Sequence, residues 1–282
     1  MNQSPTKMNL TLSTPPPAPA PAFKRSPLYQ LVRYLLRPMW IELKHIRAIR
    51  KYAHHADSRS FEWQWTSTHF NRIATVNLLL SRWNNPAYLE IGCASNALFD
   101  SVPTFNKVGV DPAAGGTIRT TSDEFFRSNQ AKFDVVFIDG LHTCEQVRRD
   151  VVNSINSLND GGFIAMHDLL PRNWIEHHNP DVTRAGGPWT GDVWKVAFEL
   201  AQTEGIDFKI LKIDCGVGVL KVLKPGVVLK DLSSELRDKE FSYFYENIDR
   251  LPIVDWEDAY DWLASGSELR RPRAGLLQGA NR

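Results

Sequence analysis

Cysteine is scarce. The 282-residue chain has three, Cys93, Cys144 and Cys215, an odd number without paired spacing. That argues against a disulfide framework or a four-cysteine zinc site and points to a reducing cytoplasm. Long hydrophobic runs are lacking too: none approaches the roughly 20 residues that cross a bilayer. The N-terminus is polar and then proline-rich, without the apolar stretch of a secretory signal. Nor does one sign of charge prevail. Lys+Arg number 33 and Asp+Glu 32, a net +1, which argues against a generally basic nucleic-acid binder. Gly-x-Gly-x-x-Gly is absent, so a cradle for a dinucleotide pyrophosphate is not expected.

What is present is an ordinary globular composition, 43% hydrophobic and 23% charged, unevenly divided. Residues 1–55 hold Lys7, Lys24, Arg25, Arg33, Arg37, Lys44, Arg47, Arg50 and Lys51 against Glu42 alone, a net +8 that leaves −7 for the remainder. Residues 1–26, with Pro and Ala from Thr14 to Ala22, predict a disordered, polyproline-like tail. Residues 27–65 predict a basic amphipathic helical arm: Leu28, Val32, Leu35, Met39, Leu43 and Ile46 recur at helical spacing. Pro38 is expected to start a second helix or kink the first. Such an arm suits first of all packing on the body or on a second subunit, and as the sharper alternative an anionic membrane surface.

From residue 66 to 223 helix and strand alternate. A helix marked by Phe70, Ile73, Asn77 and Leu80 precedes a strand at Ala87–Ile91, a turn and a short helix over Ala97–Val102. Val108–Val110 is a second strand and Thr117–Thr120 a minimal third, followed by a short helix over Asp123–Ser128. Asp134–Ile138 is a buried-type strand. Helix 143–158 carries Val147, Val151, Ile155 and Leu158 on one face and is stopped by Asp160-Gly161-Gly162. Strand Phe163–His167, helix 191–203 and strands Phe208–Ile213 and Val217–Leu223 complete the pattern. Repeated βα units imply a parallel sheet covered by helices. The residues Asp214–Gly216 are too few for a parallel crossover, so the last two strands form an antiparallel hairpin. Residues 224–282 read as an aromatic, largely helical extension from Leu232 to Trp262, interrupted at Pro252. A solvated end opens with Arg270-Arg271-Pro272-Arg273.

The turn Leu89-Glu90-Ile91-Gly92-Cys93-Ala94-Ser95-Asn96 sits at the carboxyl end of a central strand, where open α/β sheets bind nucleosides. Gly92 permits a sharp turn and close backbone approach, and Asn96 tolerates left-handed angles. Asp111, ending the next strand, can accept hydrogen bonds from both ribose hydroxyls. With Val108-Gly109-Val110-Asp111, Phe133–Gln146 and Gly161–Asp168, this turn resembles class I S-adenosylmethionine-dependent methyltransferases. The nearest flavour is the sugar and small-molecule O-methyltransferase group related to macrocin and catechol O-methyltransferases. The resemblance implies a Rossmann-like seven-stranded sheet with a C-terminal antiparallel hairpin, and S-adenosylmethionine as cofactor. It implies that Glu90, Gly92, Cys93, Ser95 and Asn96 hold the methionine part. Asp111 would hold the ribose, with Ser122 and Asp123 near the adenine.

Asp139, His142, His167 and Asp168 are the candidate chemistry. Both acids follow buried strands and emerge at one sheet edge. Methyl transfer from a sulfonium needs an oxygen nucleophile held in line and relieved of its proton, and histidine suits that near neutral pH. His142 is therefore read as general base, with Asp139 orienting it or touching cofactor or metal. Metal-dependent relatives bind a divalent cation at positions matching Asp139, His167 and Asp168. The long loop after the last of these strands offers Arg172, Trp174, His178, Trp189, Thr190 and Asp192 to an acceptor. Adjacent His177-His178 rarely supply two ligands to one ion, and Trp194 and Phe198 read as core. Gly186–Trp194 resembles a segment of methyltransferases that accompany glycan-building enzymes.

The expectation is a cytoplasmic O-methyltransferase acting on a hydroxyl of a sugar or glycan precursor. Association with the cytoplasmic face of a membrane, through the arm, and self-association are added expectations; nucleic acid is not an expected partner. The alternatives are methylation of a phenol or other secondary metabolite, and a non-catalytic S-adenosylmethionine-binding scaffold.

Overall fold

The computed structural model describes residues 26–65, 69–178 and 188–265. Expectations for the Pro/Ala tail, for Gly186-Gly187 and for the Arg270–Arg273 end lie outside them. Contacts divide the chain into two units, Met1–Arg47 and Ala48–Arg282. The described part of the first is helix α1 (Pro27–Tyr52), which runs on past the boundary. Ser26 Oγ accepts from the Tyr29 N–H at 3.1 Å, and Pro27 stands where a helix needs no donor. No second helix starts at Pro38, which lies inside one continuous helix. Proline withdraws only one donor, the N–H that the Tyr34 carbonyl would accept from, and Leu, Arg and Met around it favour helix.

The second unit continues with α2 (Arg72–Leu80), β1 (Tyr88–Ile91), β2 (Lys107–Val110), α3 (Ser122–Ser128), β3 (Phe133–Ile138) and α4 (Cys144–Asn156). There follow β4 (Leu158–Met166), α5 (Trp174–His177), α6 (Trp194–Ala201), β5 (Ile206–Leu211) and β6 (Val217–Val222). The described chain ends with α7 (Ser233–Leu236), α8 (Phe241–Glu246), β7 (Ile253–Val254) and α9 (Trp256–Ala264). The strands form one seven-stranded sheet in the order β2-β1-β3-β4-β6-β5-β7. β6 is antiparallel to both β4 and β5, which is the expected hairpin. This is the Rossmann-like methyltransferase architecture.

Alternation along the strands explains why both faces are covered. Leu89, Ile91, Val136, Ile138, Ile164 and Met166 face one apolar core with α4, α6 and α8. Tyr88, Val135, Phe137, Phe163 and Ala165 face the other with α2 and α9. Local signals fix the helix starts. Asn71 accepts from the N–H groups of Ile73 and Ala74 to open α2, and Thr121 with Glu124 forms a capping box on α3.

Four elements differ from the sequence pattern. Residues 97–102 hold only a 3₁₀ turn, Phe99–Ser101, and the third strand shrinks to one parallel bridge, Val110 to Ile118. Helix α4 stops at Asn156, and Asp160-Gly161-Gly162 belongs to a bulge in β4, where pairing jumps from Phe133–Leu158 to Val135–Phe163. The seventh strand comes from the C-terminal extension: β7 pairs parallel with β5. Residues beyond 223 thus complete the sheet, as three short helices and a strand rather than a long helical run.

Candidate active site

The carboxyl ends of β1, β2 and β3 surround a cavity of about 580 Å³. Its shape begins at Gly92, whose φ of +86° and missing Cβ let β1 turn against the Asp139 carbonyl; any side chain there overlaps it. Of the cofactor residues expected from sequence, Glu90, Gly92, Cys93, Ser95, Asp111, Ser122 and Asp139 line the cavity. Asn96 and Asp123 do not. Asn96, at φ +64°, accepts from the Gly116 N–H at 2.7 Å and ties the turn to the loop after β2. Asp123 faces Arg149 at 3.3 Å.

Four acids line this cavity, Asp111, Glu90, Asp150 and Asp139. Asp111 is buried, which alone disfavours its charge, but the N–H groups of Ala114, Ala94 and Ala113 donate to it at 2.7–2.9 Å and hold its pKa below the usual range. Burial pushes Glu90 up to about 7 despite a 2.5 Å hydrogen bond from the Tyr88 hydroxyl. Asp150, on the second turn of α4, went unmarked in the sequence. It is fully buried, lines the cavity and is pushed up to about 6 by burial. Its Oδ1 accepts from Gln146 at 3.1 Å, while Oδ2 has no hydrogen-bond partner among the described residues. The three cysteines are buried free thiols, each raised to about 12 by burial.

At the Asp139 end the sheet edge gathers a charge cluster. His142 Nδ1 lies 2.7 Å from the Trp189 carbonyl and 3.1 Å from Asp168 Oδ2, both acceptors, so Nδ1 carries a proton. His142 Nε2 faces Asp139 Oδ1 at 3.4 Å. His167 Nδ1 stands 3.0 Å from Asp168 and 3.5 Å from Asp139, without hydrogen-bond geometry to any group among the described residues. Arg72 and Asp214, which no sequence signal marked, complete the group. The Arg72 guanidinium bonds Asp214 at 2.9 Å and approaches His167 Nε2 at 3.3 Å. Burial opposes every one of these charges, yet three carboxylates against Arg72 and two imidazoles decide the outcome. Asp139 falls well below the ordinary carboxyl range and Asp214 to about 2, while His142 and His167 rise above the ordinary histidine value. Asp168 sits at φ +64°, an uncommon conformation for a residue other than glycine.

The loop after β4 is tied to this cluster. Asp192 accepts from the Cys144 N–H at 2.7 Å and so caps α4 from a distance, and it pairs with Lys195 at 3.1 Å. Gly191, at φ +65°, packs on the His142 carbonyl where no Cβ fits. The Trp189 ring lies 4.8 Å from that of His142. The other loop residues proposed for an acceptor stand elsewhere. Arg172 is locked on buried Glu176, Thr190 donates to the Glu176 carbonyl, and Trp174 meets His178 edge-on.

Donor atoms of Asp139, His142 and Asp168 all lie within 4.8 Å of one another, as do those of His177, His178 and Glu240. In the second group Trp194 Nε1 donates to His177 Nδ1 at 2.9 Å. The ring proton of His177 is then on Nε2, 2.9 Å from Glu240, and no lone pair remains for an ion.

Sheet order and the cavity at the switch point are those of a Rossmann-like methyltransferase fold. Residues 89–169, from β1 to just past β4, match the family model described as a methyltransferase domain. No curated protein shows significant similarity to the chain. Among solved structures it is similar to cofactor-bound Rv0187 from MTB, at 13% identity and TM-score 0.41 over 58% of this chain and 84% of that one. It is similar to the O-methyltransferase TomG from Streptomyces achromogenes, at 12% identity and TM-score 0.36 over 53% and 79%. An O-methyltransferase from Bacillus cereus aligns at 12% identity and TM-score 0.38 over 68% and 96%.

Proposed function

We propose that the protein methylates a hydroxyl of a sugar or glycan precursor, with His142 as general base. One observation carries this reading: His142 lines the cofactor cavity with Nδ1 committed to the Trp189 carbonyl, which leaves Nε2, beside Asp139, as the nitrogen that takes and releases a proton. S-adenosylmethionine supplies the methyl on a sulfonium. Gly92, Cys93, Ser95 and Glu90 hold its methionine end, Asp111 its ribose hydroxyls, and Ser122 the base. The open oxygen of Asp150 fits a ligand that brings its own hydrogen-bond donors. Asp139 and Asp168 keep the imidazole oriented and stabilise its charged form. The Trp189 ring beside His142 offers an apolar face to the C–H groups of a sugar; a phenolic acceptor is the competing substrate class.

A divalent cation is the second reading, favoured by the convergent donors of Asp139, His142 and Asp168 and by the unpartnered Nδ1 of His167 facing the same carboxylates. Those residues would hold it, and it would acidify an acceptor hydroxyl.

Calorimetry with S-adenosylhomocysteine and radiolabelled methyl transfer to sugar and phenol panels test the proposal. His142→Ala is expected to keep cofactor affinity and lower kcat by ~10²–10⁴. An unchanged kcat removes His142 from the role. Loss of turnover on chelation, restored by a divalent ion, selects the second reading.

A further inference from the structure

Helix α1, taken by itself, has two adjoining faces of different chemistry. At 3.6 residues per turn, Leu28, Leu31, Val32, Leu35, Met39 and Leu43 fall within an arc of about 120°. Arg33, Arg37, Lys44 and Arg47 fall in the next arc of about 80°, with Trp40 among them. Glu42, the one acid, interrupts the apolar arc. The apolar face is open: ten of the sixteen large hydrophobic side chains exposed among the described residues are on this helix, Leu28 at 71% and Leu35 at 64%.

We propose that α1 is a membrane-surface anchor that lies in the plane of an anionic lipid bilayer. No described helix is long and apolar enough to cross a membrane, so the helix rests on the surface and does not span it. An apolar arc bordered by cations and a tryptophan matches the acyl boundary, the headgroup phosphates and the interface between them. Charge fits the same partner. Residues 1–55 carry +8 and the remainder −7, so an anionic surface attracts the arm and repels the rest, which selects an arm-first approach. RNA would use the cations and leave the apolar arc wet. A second copy would bury the apolar arc but bring two basic stripes together.

Sedimentation of the full chain with vesicles tests this. Binding is expected to phosphatidylcholine vesicles containing 30% phosphatidylglycerol, and to be at least ~10-fold weaker with phosphatidylcholine alone. The double variant Leu35→Asp/Met39→Asp and the double variant Arg37→Glu/Lys44→Glu should each lose at least ~10-fold. Leu35→Gln/Met39→Gln, which preserves helix propensity, replaces the first if its unfolding temperature falls. Equal binding to both lipids, or full binding by the apolar variants, overturns the proposal. So does RNA binding without vesicle binding, or a dimer in sedimentation equilibrium that the apolar variants dissociate while vesicles leave it untouched.

Discussion

Asp150 has no solvent-accessible surface, yet one of its carboxylate oxygens has no donor among the described residues. A buried acceptor left open costs on the order of 1–3 kcal/mol, and a ligand that donates to it recovers that cost. Asp150→Asn places an amide donor in the same volume. Calorimetry with S-adenosylhomocysteine is expected to show affinity at least ~10-fold weaker. The wild-type affinity should also fall as pH drops through about 6, where Asp150 takes up a proton, and this dependence should be absent from the variant. Equal affinities for the two proteins at pH 7.5 show that Asp150 serves the helix and not the ligand.

The elements differ in how they present chemistry. Strand ends were legible because hydrophobic runs end at Gly92, Asp111, Asp139 and the His167-Asp168 pair, and a parallel sheet brings such ends to one edge. Arg72 and Asp214 were not legible: one opens α2, the other sits in the β5–β6 turn, and they meet only through the fold. The seventh strand was hidden for a similar reason, since Ile253–Val254 is too short to show alternation and exists only because β5 has a free edge. Loop 188–193 shows the converse, a local residue choice with a distant purpose. Gly191 fits against the His142 carbonyl only without a side chain, and at φ +65°. Gly191→Ala is therefore expected to push the loop off His142 and to cost about 1–2 kcal/mol in backbone strain alone. Single-turnover kinetics should show the methyl-transfer rate reduced at least ~10-fold, with cofactor affinity unchanged because Gly191 does not line the cavity. A variant with wild-type turnover would separate the loop from the placement of His142.

At the scale of the whole molecule, the buried charges make stability depend on pH in a direction that net charge does not reveal. His142 and His167 have folded pKa values above the ordinary 6.5. Their contribution is complete below about 6.5 and is lost as pH rises through the folded values. Glu90, at about 7, and Asp150, at about 6, hold protons in the folded state that the unfolded chain releases near 4. Each therefore favours folding at low pH, by about 3 kcal/mol that disappears as pH climbs from 4 to 7. Asp139 and Asp214 act oppositely, since their depressed values contribute above about 4 and fail only in stronger acid. The three effects together make the ligand-free protein more stable at pH 5 than at pH 8, an advantage that His178, held down to about 4 by burial, reduces without reversing. Scanning calorimetry should accordingly give a higher Tm at pH 5 than at pH 8. Glu90→Gln combined with Asp150→Asn should flatten that slope by removing both proton-binding carboxyls while leaving the histidine share. A Tm that is equal or higher at pH 8 in the wild type would mean that these carboxyls are ionised in the folded state, with cations closer to them than Arg72 and Arg149.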